Sequence, residues 1–374
     1  MISILIIFSL LLPIKSFAAT KVKISFLEAL APKDTTSSER FQKEYEFAVQ
    51  TGIDLTKKDL AKCGYEIVDE KSFYDASDTL QALENAKQAQ ENNTWMIVGP
   101  RRSNHYLLAT KGADKTPSVS IMASSKEIFE LPSHHLTITQ SNSSMAAVLA
   151  KETKRLNKKN LSYLSIISED CLSCIDFAFG FDTAAKSIGM KKLGEIRITG
   201  EQPDLSEIQN QFNKLSPAIA LLPNYSKVTS YLIGAIQNWR ASTFFIGGDG
   251  WGDNQFGFVH DSPQIKKANG LTVKGFPPAD KGLGFLDLGK QIIKEPARAA
   301  AFPSSGTSLA LLKSIEGLRD FLCKEKPKTK DDFAKAFSLR GRKYFTSPWG
   351  VSVFELKNGE IQYSKTTGRK IAEE

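Results

Sequence analysis

Apolar and polar positions along the chain alternate between the period of a strand and that of a helix. Residues 21–28, "KVKISFLE", form a short run that predicts a strand. Residues 38–58 carry apolar side chains at helical spacing, among them Phe41, Tyr45 and Ile53. The same succession continues to residue 248. The further predicted strands are 65–73, 94–100, 117–123, 161–168, 193–199, 218–223 and 243–248, and the further predicted helices are 78–92, a segment after Pro100, 144–156, 174–188, 205–215 and 226–239.

This alternation predicts an α/β protein. A helix between two strands serves as the crossover that joins parallel neighbours in a sheet. A polar stretch after residue 123 interrupts the alternation, which starts again at about Ser144. Two such series in one chain predict two α/β lobes. Ligands of open parallel sheets bind outside the carboxyl ends of the strands, so the loops "GPRRSN", "ASSK", "EDCLSC", "NYSK" and "GDGWGD" are the candidate binding loops.

The N-terminus predicts export. An apolar run of nine residues from Ile4 to Leu12 is too short to cross a bilayer, which takes about 20 residues. Small residues at Ser16 and Ala18 fit cleavage after Ala18, so residues 1–18 are predicted to be a signal peptide. No cysteine follows this site, which argues against a lipid anchor. The remaining chain has no transmembrane candidate.

Composition adds few constraints on function. The 374 residues are 41% hydrophobic, which suffices for a sizeable core, and the net charge is +8. The lysines are scattered and mixed with acids, which is typical of solvated surfaces rather than of a nucleic-acid footprint. The sequence contains no GxSxG, HExxH or Walker motif and no GxGxxG after a strand, so no enzyme class, metal or cofactor is predicted.

Five motifs follow one another behind the predicted export signal, namely "IVGPRRSNHYLLA", "PSVSIMASSKEIFEL", "SYLSIISEDC", "ALLPNYSKVTSYLIGAIQ" and "FFIGGDGWGDNQF". In this order they resemble the type I periplasmic solute-binding proteins, and most of all the branch that binds leucine, isoleucine and valine for ABC importers. The resemblance covers essentially the whole mature chain. It implies two doubly wound parallel-sheet lobes joined by three crossovers, which close on a ligand like a hinged trap.

The resemblance also implies lobe boundaries and hinges. Residues 19–121 and 250–358 would form the first lobe, and residues 122–249 and 359–374 the second. The hinges would then lie near 121–123, 248–250 and 358–361.

The resemblance implies a ligand role for particular residues. Ser103 matches the serine that binds the ligand carboxylate. For the same group, Ser124 would supply a backbone amide and Ser125 a hydroxyl, or the pair would be shifted by one residue. Tyr225 matches the aromatic residue, and Asp249 the acid that binds the α-ammonium group. A carboxylate at a strand end with no basic residue adjacent in sequence would find its partner in such a ligand. Trp251 would form part of the cleft wall.

Each of these residues also has a plain structural interpretation. Asp249 before glycine is common turn chemistry, and Ser103 and Ser125 are good helix caps. Tyr225 and Trp251 fit core packing equally well.

The sequence departs from the family at two places. The loop "SEDCLSC" lacks the family's aromatic residue near the ligand. Arg101 and Arg102 precede Ser103, where they either point into the cleft and favour a second acidic group on the ligand or lie on the outer surface.

The sequence has four cysteines, which is enough for two disulfides. Cys171 and Cys174 are close enough to pair locally, either as a static bridge that holds a cleft loop or as a redox pair. Cys63 and Cys323 would pair only if the fold brings them together.

Three functional hypotheses follow. The first is a periplasmic, monomeric receptor that performs no chemistry, captures an amino acid or similar small zwitterion and delivers it to the membrane permease of an ABC importer. The second is the same fold used as a sensor or regulatory protein. The third is a thiol–disulfide enzyme that uses Cys171 and Cys174.

Overall fold

A computed structural model describes residues 19–28, 36–75, 78–157, 160–251, 264–303 and 305–367. Within them the chain forms two sheets covered by helices. The strands are β1 (Thr20–Glu28), β2 (Tyr65–Tyr74), β3 (Met96–Val98), β4 (Ser118–Ser120), β5 (His135–Thr137), β6 (Ser162–Ser168), β7 (Lys191–Ile198), β8 (Ile219–Leu221), β9 (Phe244–Gly247), β10 (Asn269–Lys274), β11 (Val351–Lys357) and β12 (Glu360–Thr367). The helices are α1 (Thr36–Cys63), α2 (Thr79–Glu91), α3 (Ser103–Gly112), α4 (Lys126–Phe129), α5 (Asn142–Leu156), α6 (Leu172–Ser187), α7 (Leu205–Leu215), α8 (Ser226–Trp239), α9 (Ala279–Gly282), α10 (Asp287–Ile293), α11 (Pro296–Ala301), α12 (Gly306–Glu325) and α13 (Lys330–Arg340).

The two sheets share one strand order. The first is β2-β1-β3-β4-β5, with every neighbouring pair parallel. The second contains β7-β6-β8-β9-β10 in parallel, and β11 and β12 extend it in antiparallel pairing. In each sheet the order reverses once, between β1 and β3 and between β6 and β8. Reversal points form ligand crevices at the carboxyl ends of strands. The predicted α/β fold with two doubly wound lobes is confirmed.

Local sequence explains where several elements begin. The Asp78 carboxylate accepts a hydrogen bond from the Leu80 amide at 2.8 Å and caps α2. The Ser305 hydroxyl accepts from the Ser308 amide at 3.2 Å and caps α12 in the same way.

The core of the first sheet draws on two distant parts of the sequence. Phe26, Val98 and Val119 of its strands pack in one buried cluster with Leu309 and Phe321 of α12. The chain therefore returns to the first lobe after completing most of the second sheet. The second sheet buries its two faces in separate clusters, which lie under α7 and α8 on one side and under α5 and α6 on the other.

The chain passes between the lobes three times, at residues 138–141, at Gly275 and at residues 349–350. The three passages lie side by side. The Gln140 side-chain amide donates to the Trp349 carbonyl at 2.9 Å. A Cβ at Gly275 would lie 2.1 Å from the Thr139 hydroxyl oxygen, so a side chain on the second passage would force Thr139 on the first to shift. The predicted three-crossover connection is confirmed.

The positions of these passages differ from the predicted boundaries and hinges. Residues 121–123 precede β5, which belongs to the first sheet, and residues 248–250 precede β10, which belongs to the second. Residues 358–361 form the tight turn between β11 and β12, where Asn358 has φ 53° and Gly359 has φ 78°. The short strand β5 and the strand β10 were not predicted from the sequence, and so the first two passages were placed one strand too early.

Residues 1–18, the predicted signal peptide, lie outside the described residues, as do residues 368–374. Within the described part of the chain, no helix is long and apolar enough to cross a membrane.

A disulfide joins Cys63 at the end of α1 to Cys323 in α12. The fold brings the two cysteines together because α1 and α12 pack side by side under the first sheet, where Ile53 and Ile315 belong to one cluster. The bridge thus ties the start of the first lobe to the segment that returns to it.

We expect the Cys63→Ser/Cys323→Ser double variant to lose roughly 2–5 kcal/mol of unfolding free energy, because its bridge closes a long loop, with a separation of 260 residues. Urea unfolding followed by circular dichroism measures the loss. The Cys171→Ser/Cys174→Ser variant is the matched control, since that bridge has a separation of only 3 residues and constrains the unfolded chain far less. Equal losses in the two variants would contradict this account.

Candidate functional site

A cavity of about 260 Å³ lies between the lobes at the carboxyl ends of both sheets. Its volume is at the small end of ligand pockets, which suits a small solute. The loops after β3, β4, β8 and β9 contribute to its wall, together with the start of α12. Four of the six predicted ligand residues line it, namely Ser103, Ser124, Tyr225 and Asp249.

Ser103 organises the first-lobe side of the cavity. It is the first residue of α3, and its hydroxyl oxygen accepts from the amides of Ser124 (3.2 Å) and Ser125 (3.3 Å). Both amides belong to the turn after β4, so one hydroxyl ties the two binding loops of this lobe together. The hydroxyl hydrogen of Ser103 is still able to donate to a ligand.

Ser125 lies behind the cavity wall rather than in it. The residue is fully buried, and its hydroxyl has no hydrogen-bond partner among the described residues. It precedes the four-residue helix α4 without capping it through its side chain. Of the predicted pair, Ser124 therefore lines the cavity, and Ser125 contributes its amide to Ser103.

Asp249 begins a single turn of 3-10 helix directly after β9 and faces the cavity. Burial raises the pKa of its carboxyl group to about 6, although the nearby Lys274 ammonium and the Ser124 hydroxyl act in the opposite direction. Asp249 therefore already has a basic neighbour. Lys274 is the last residue of β10, which pairs with β9. Because β10 was not predicted from the sequence, Lys274 was not expected beside Asp249.

Trp251 packs in the core of the second lobe. Its side chain is fully buried, and its indole N–H donates to the Leu222 carbonyl at 2.7 Å. A Cβ at Gly247 would lie 1.9 Å from the indole nitrogen, so the glycine at the end of β9 admits the ring. The expected place in the cleft wall is corrected, because the 3-10 turn directs this side chain inward.

Tyr225 and Ser173 form the second-lobe side. Tyr225 precedes α8, is 41% exposed, and has its hydroxyl 3.4 Å from that of Ser173. Ser173 lies inside the bridge between Cys171 and Cys174, which closes the first turn of α6. The local disulfide is confirmed, and it borders the cavity at the place where the family's aromatic residue was missing.

Both arginines before Ser103 line the cavity, so the alternative of an outer-surface position is wrong. The Arg101 Nε atom lies 2.9 Å from a carboxylate oxygen of the buried Glu28, and its guanidinium lies 4.2 Å from the Phe41 ring centroid. The Arg102 guanidinium lies 5.6 Å from the ring centroid of Tyr225, on the opposite lobe.

A second contact between the lobes lies near the first passage. The Asp176 carboxylate in α6 accepts from the Lys126 backbone amide and from the Asn142 side chain, each at 3.0 Å. Desolvation raises the pKa of this carboxyl group. The contact joins the amino ends of α4 and α6 beside the cavity.

Comparison with known proteins shows which fold the chain shares. Neither the models of protein families nor the curated proteins contain a match to the chain. Among solved structures, a leucine-binding protein from Thermotoga maritima is similar at a TM-score of 0.72 and 14% identity, over 93% of this chain and 99% of that one. The chain has the fold of the type I periplasmic binding proteins.

Other solute-binding proteins of this fold are similar over the same extent. A branched-chain amino-acid binding protein from Streptococcus pneumoniae, in complex with isoleucine, has a TM-score of 0.67 and 14% identity, over 93% of this chain and 99% of that one. A solute-binding protein of an ABC transporter from R. palustris, in complex with benzoate, has the same TM-score and identity, over 92% of this chain and 96% of that one. Their ligands differ, so the fold alone does not name a ligand here.

We expect Ser103→Ala to lower the unfolding free energy by about 1–3 kcal/mol, because it leaves two buried amides without their acceptor. Ser173→Ala is the control in the same cavity, since its hydroxyl makes only long contacts, at 3.4 and 3.5 Å. Urea unfolding of both variants checks the difference. A loss in Ser173→Ala as large as that in Ser103→Ala would contradict the role given to Ser103.

Proposed function

We propose that the protein is an extracytoplasmic receptor that captures a small amino acid between its lobes and delivers it to the permease of an ABC importer. One observation carries the proposal: a single small cavity lies at the strand-order reversals of both sheets, and polar side chains from both lobes line it. A cavity built in this way binds most strongly when the lobes are closed.

The carboxylate of the ligand would bind on the first-lobe side. The Ser103 hydroxyl donates to it, and the Ser124 amide, which donates to the Ser103 oxygen at 3.2 Å, holds that hydroxyl in position. Ser103 also begins the ten-residue helix α3, whose amino end favours negative charge.

The ammonium group would bind to Asp249 on the second-lobe side. Ser124 from the first lobe donates to the same carboxylate, so this acid already connects the lobes. The Lys274 charge beside it offsets part of the attraction for an ammonium group. A ligand that also brings negative charge near Lys274 relieves that conflict.

Binding would act by shifting the population of open and closed forms. A ligand that contacts both lobes binds the closed form more tightly, and the equilibrium moves by that difference in affinity. The contact between Lys126 and Asp176 and the approach of Arg102 to the Tyr225 ring would be made only when the lobes are close together. The closed form is the one that a permease would recognise.

This function requires no cofactor or reaction. The receptor would be exported by residues 1–18, act as a monomer in the periplasm and leave transport to its membrane partner. Use of the same cleft by a sensor is the second candidate, and the unusual disulfide-bridged loop at the cavity edge is what favours it.

A thermal-shift screen tests the function. The purified mature protein is incubated with the amino acids, with small dicarboxylates and with benzoate, and a ligand at 100 times its Kd should add about 2.7 kcal/mol to the unfolding free energy. We expect an amino acid to stabilise the wild type but not Asp249→Asn, which keeps the shape of the side chain and removes its charge. The proposal would be contradicted if no compound of the set stabilised the wild type, or if Asp249→Asn still bound the amino acid.

Binding should weaken as the pH falls through about 6. Burial raises the pKa of Asp249 to about 6, and only the ionised carboxylate pairs with an ammonium group, so affinity drops about tenfold per pH unit below that value. Calorimetric titration between about pH 5 and pH 8 measures this trend.

The unliganded protein should show the opposite trend. A carboxyl group with a raised pKa stabilises the fold while it is protonated, and this contribution is lost as the pH rises through about 6. Asp249→Asn, which does not titrate, is the control for this trend in the stability of the unliganded protein. A pH dependence that survives in Asp249→Asn would assign it to another group.

A further inference from the structure

Arg102 is the cation of the cavity that has no acidic partner among the residues that the structure describes. Within the described ranges, the Arg102 side chain makes no ion pair and no hydrogen bond, and its one contact of this kind is with the ring of Tyr225 at 5.6 Å. A guanidinium carries five N–H donors in a planar fork that matches a carboxylate. These donors lie at the cavity wall and are available to a ligand.

The other two cations of the wall are already balanced. Arg101 pairs with Glu28 at 2.9 Å. Lys274 lies over the Phe354 ring at 4.8 Å and acts on the charge of Asp249. Arg102 is therefore the position where one more negative charge would be compensated.

The wall combines apolar surface with many polar side chains. Phe41, Met122 and Phe276 are its main apolar residues, apart from the ring of Tyr225. Most of the remaining side chains are charged or carry hydroxyls. A leucine-like side chain would have to displace water from several of these groups without replacing their hydrogen bonds, which costs free energy.

We propose that the ligand carries a second anionic group, as a dicarboxylic amino acid does, and that Arg102 binds this distal carboxylate beside the ring of Tyr225. The inference rests on the proposed function and names the class of its ligand. Arg102 comes from the first lobe and Tyr225 from the second, so the distal carboxylate would be enclosed as the lobes close. The negative charge of the distal carboxylate would also compensate the charge of Lys274, which lies beside the acid that binds the ammonium group.

Calorimetric titration with glutamate and glutamine, and with aspartate and asparagine, tests the proposal. Each pair differs in one charge at nearly constant shape. We expect the wild type to bind the acid at least about tenfold more tightly than its amide, because a hydrogen bond to a charged group is roughly twice as strong as a neutral one. Arg102→Gln should abolish this preference, and Arg102→Lys should keep part of it.

Stability separates a binding role from a structural one. Arg102→Gln should unfold at nearly the wild-type temperature, since no internal ion pair is lost. Arg101→Gln is the contrasting variant: it leaves Glu28 buried without its partner and should lower the melting temperature.

The outcomes distinguish the two proposals. If no amino acid binds the wild type, the proposed function and this inference both fail. If glutamine binds as tightly as glutamate, the function stands and the second anionic group is wrong. If Arg102→Gln weakens glutamate and glutamine equally, Arg102 binds the carboxylate that they share, and the inference is overturned.

Discussion

The close packing of three chain passages between the lobes is the constraint on which the rest of this structure depends. Gly275 packs closely against the Thr139 hydroxyl, and the Gln140 side chain donates a hydrogen bond to the Trp349 carbonyl. With the passages held together on one side, the carboxyl ends of both sheets face each other. The positions of the binding loops around the cavity depend on that arrangement.

Charge in the cavity is organised in the same way, by elements that are distant in sequence. Glu28 from β1 balances Arg101 from the loop after β3, and Lys274 from β10 acts on Asp249 after β9. Burial makes each of these charges costly unless another compensates it. Arg102 departs from this rule within the described residues, and an uncompensated charge at a cavity wall is a signal of ligand binding rather than of stability.

Much of the fold was predictable because its signals are local. Helical spacing and short apolar runs identified β1 to β4 and β6 to β9, and the order of motifs indicated two lobes. Three-residue β5 carries too little pattern to recognise, and β10, "NGLTVK", was not recognised as a strand. Because these two strands were missed, the first two passages between the lobes were placed too early, and Lys274 was not expected beside Asp249.

The sequence by itself determined the succession of strands and helices, the loops at strand ends and the types of side chain they carry, because these depend on neighbours within a few residues. It therefore identified Ser103, Ser124, Tyr225 and Asp249 as candidate ligand residues. Only the tertiary structure decided that Trp251 packs inward, that Ser125 lies behind the wall, that Cys63 meets Cys323 and that both arginines line the cavity. Those outcomes depend on which distant segments pack against each other, and no local pattern encodes that packing.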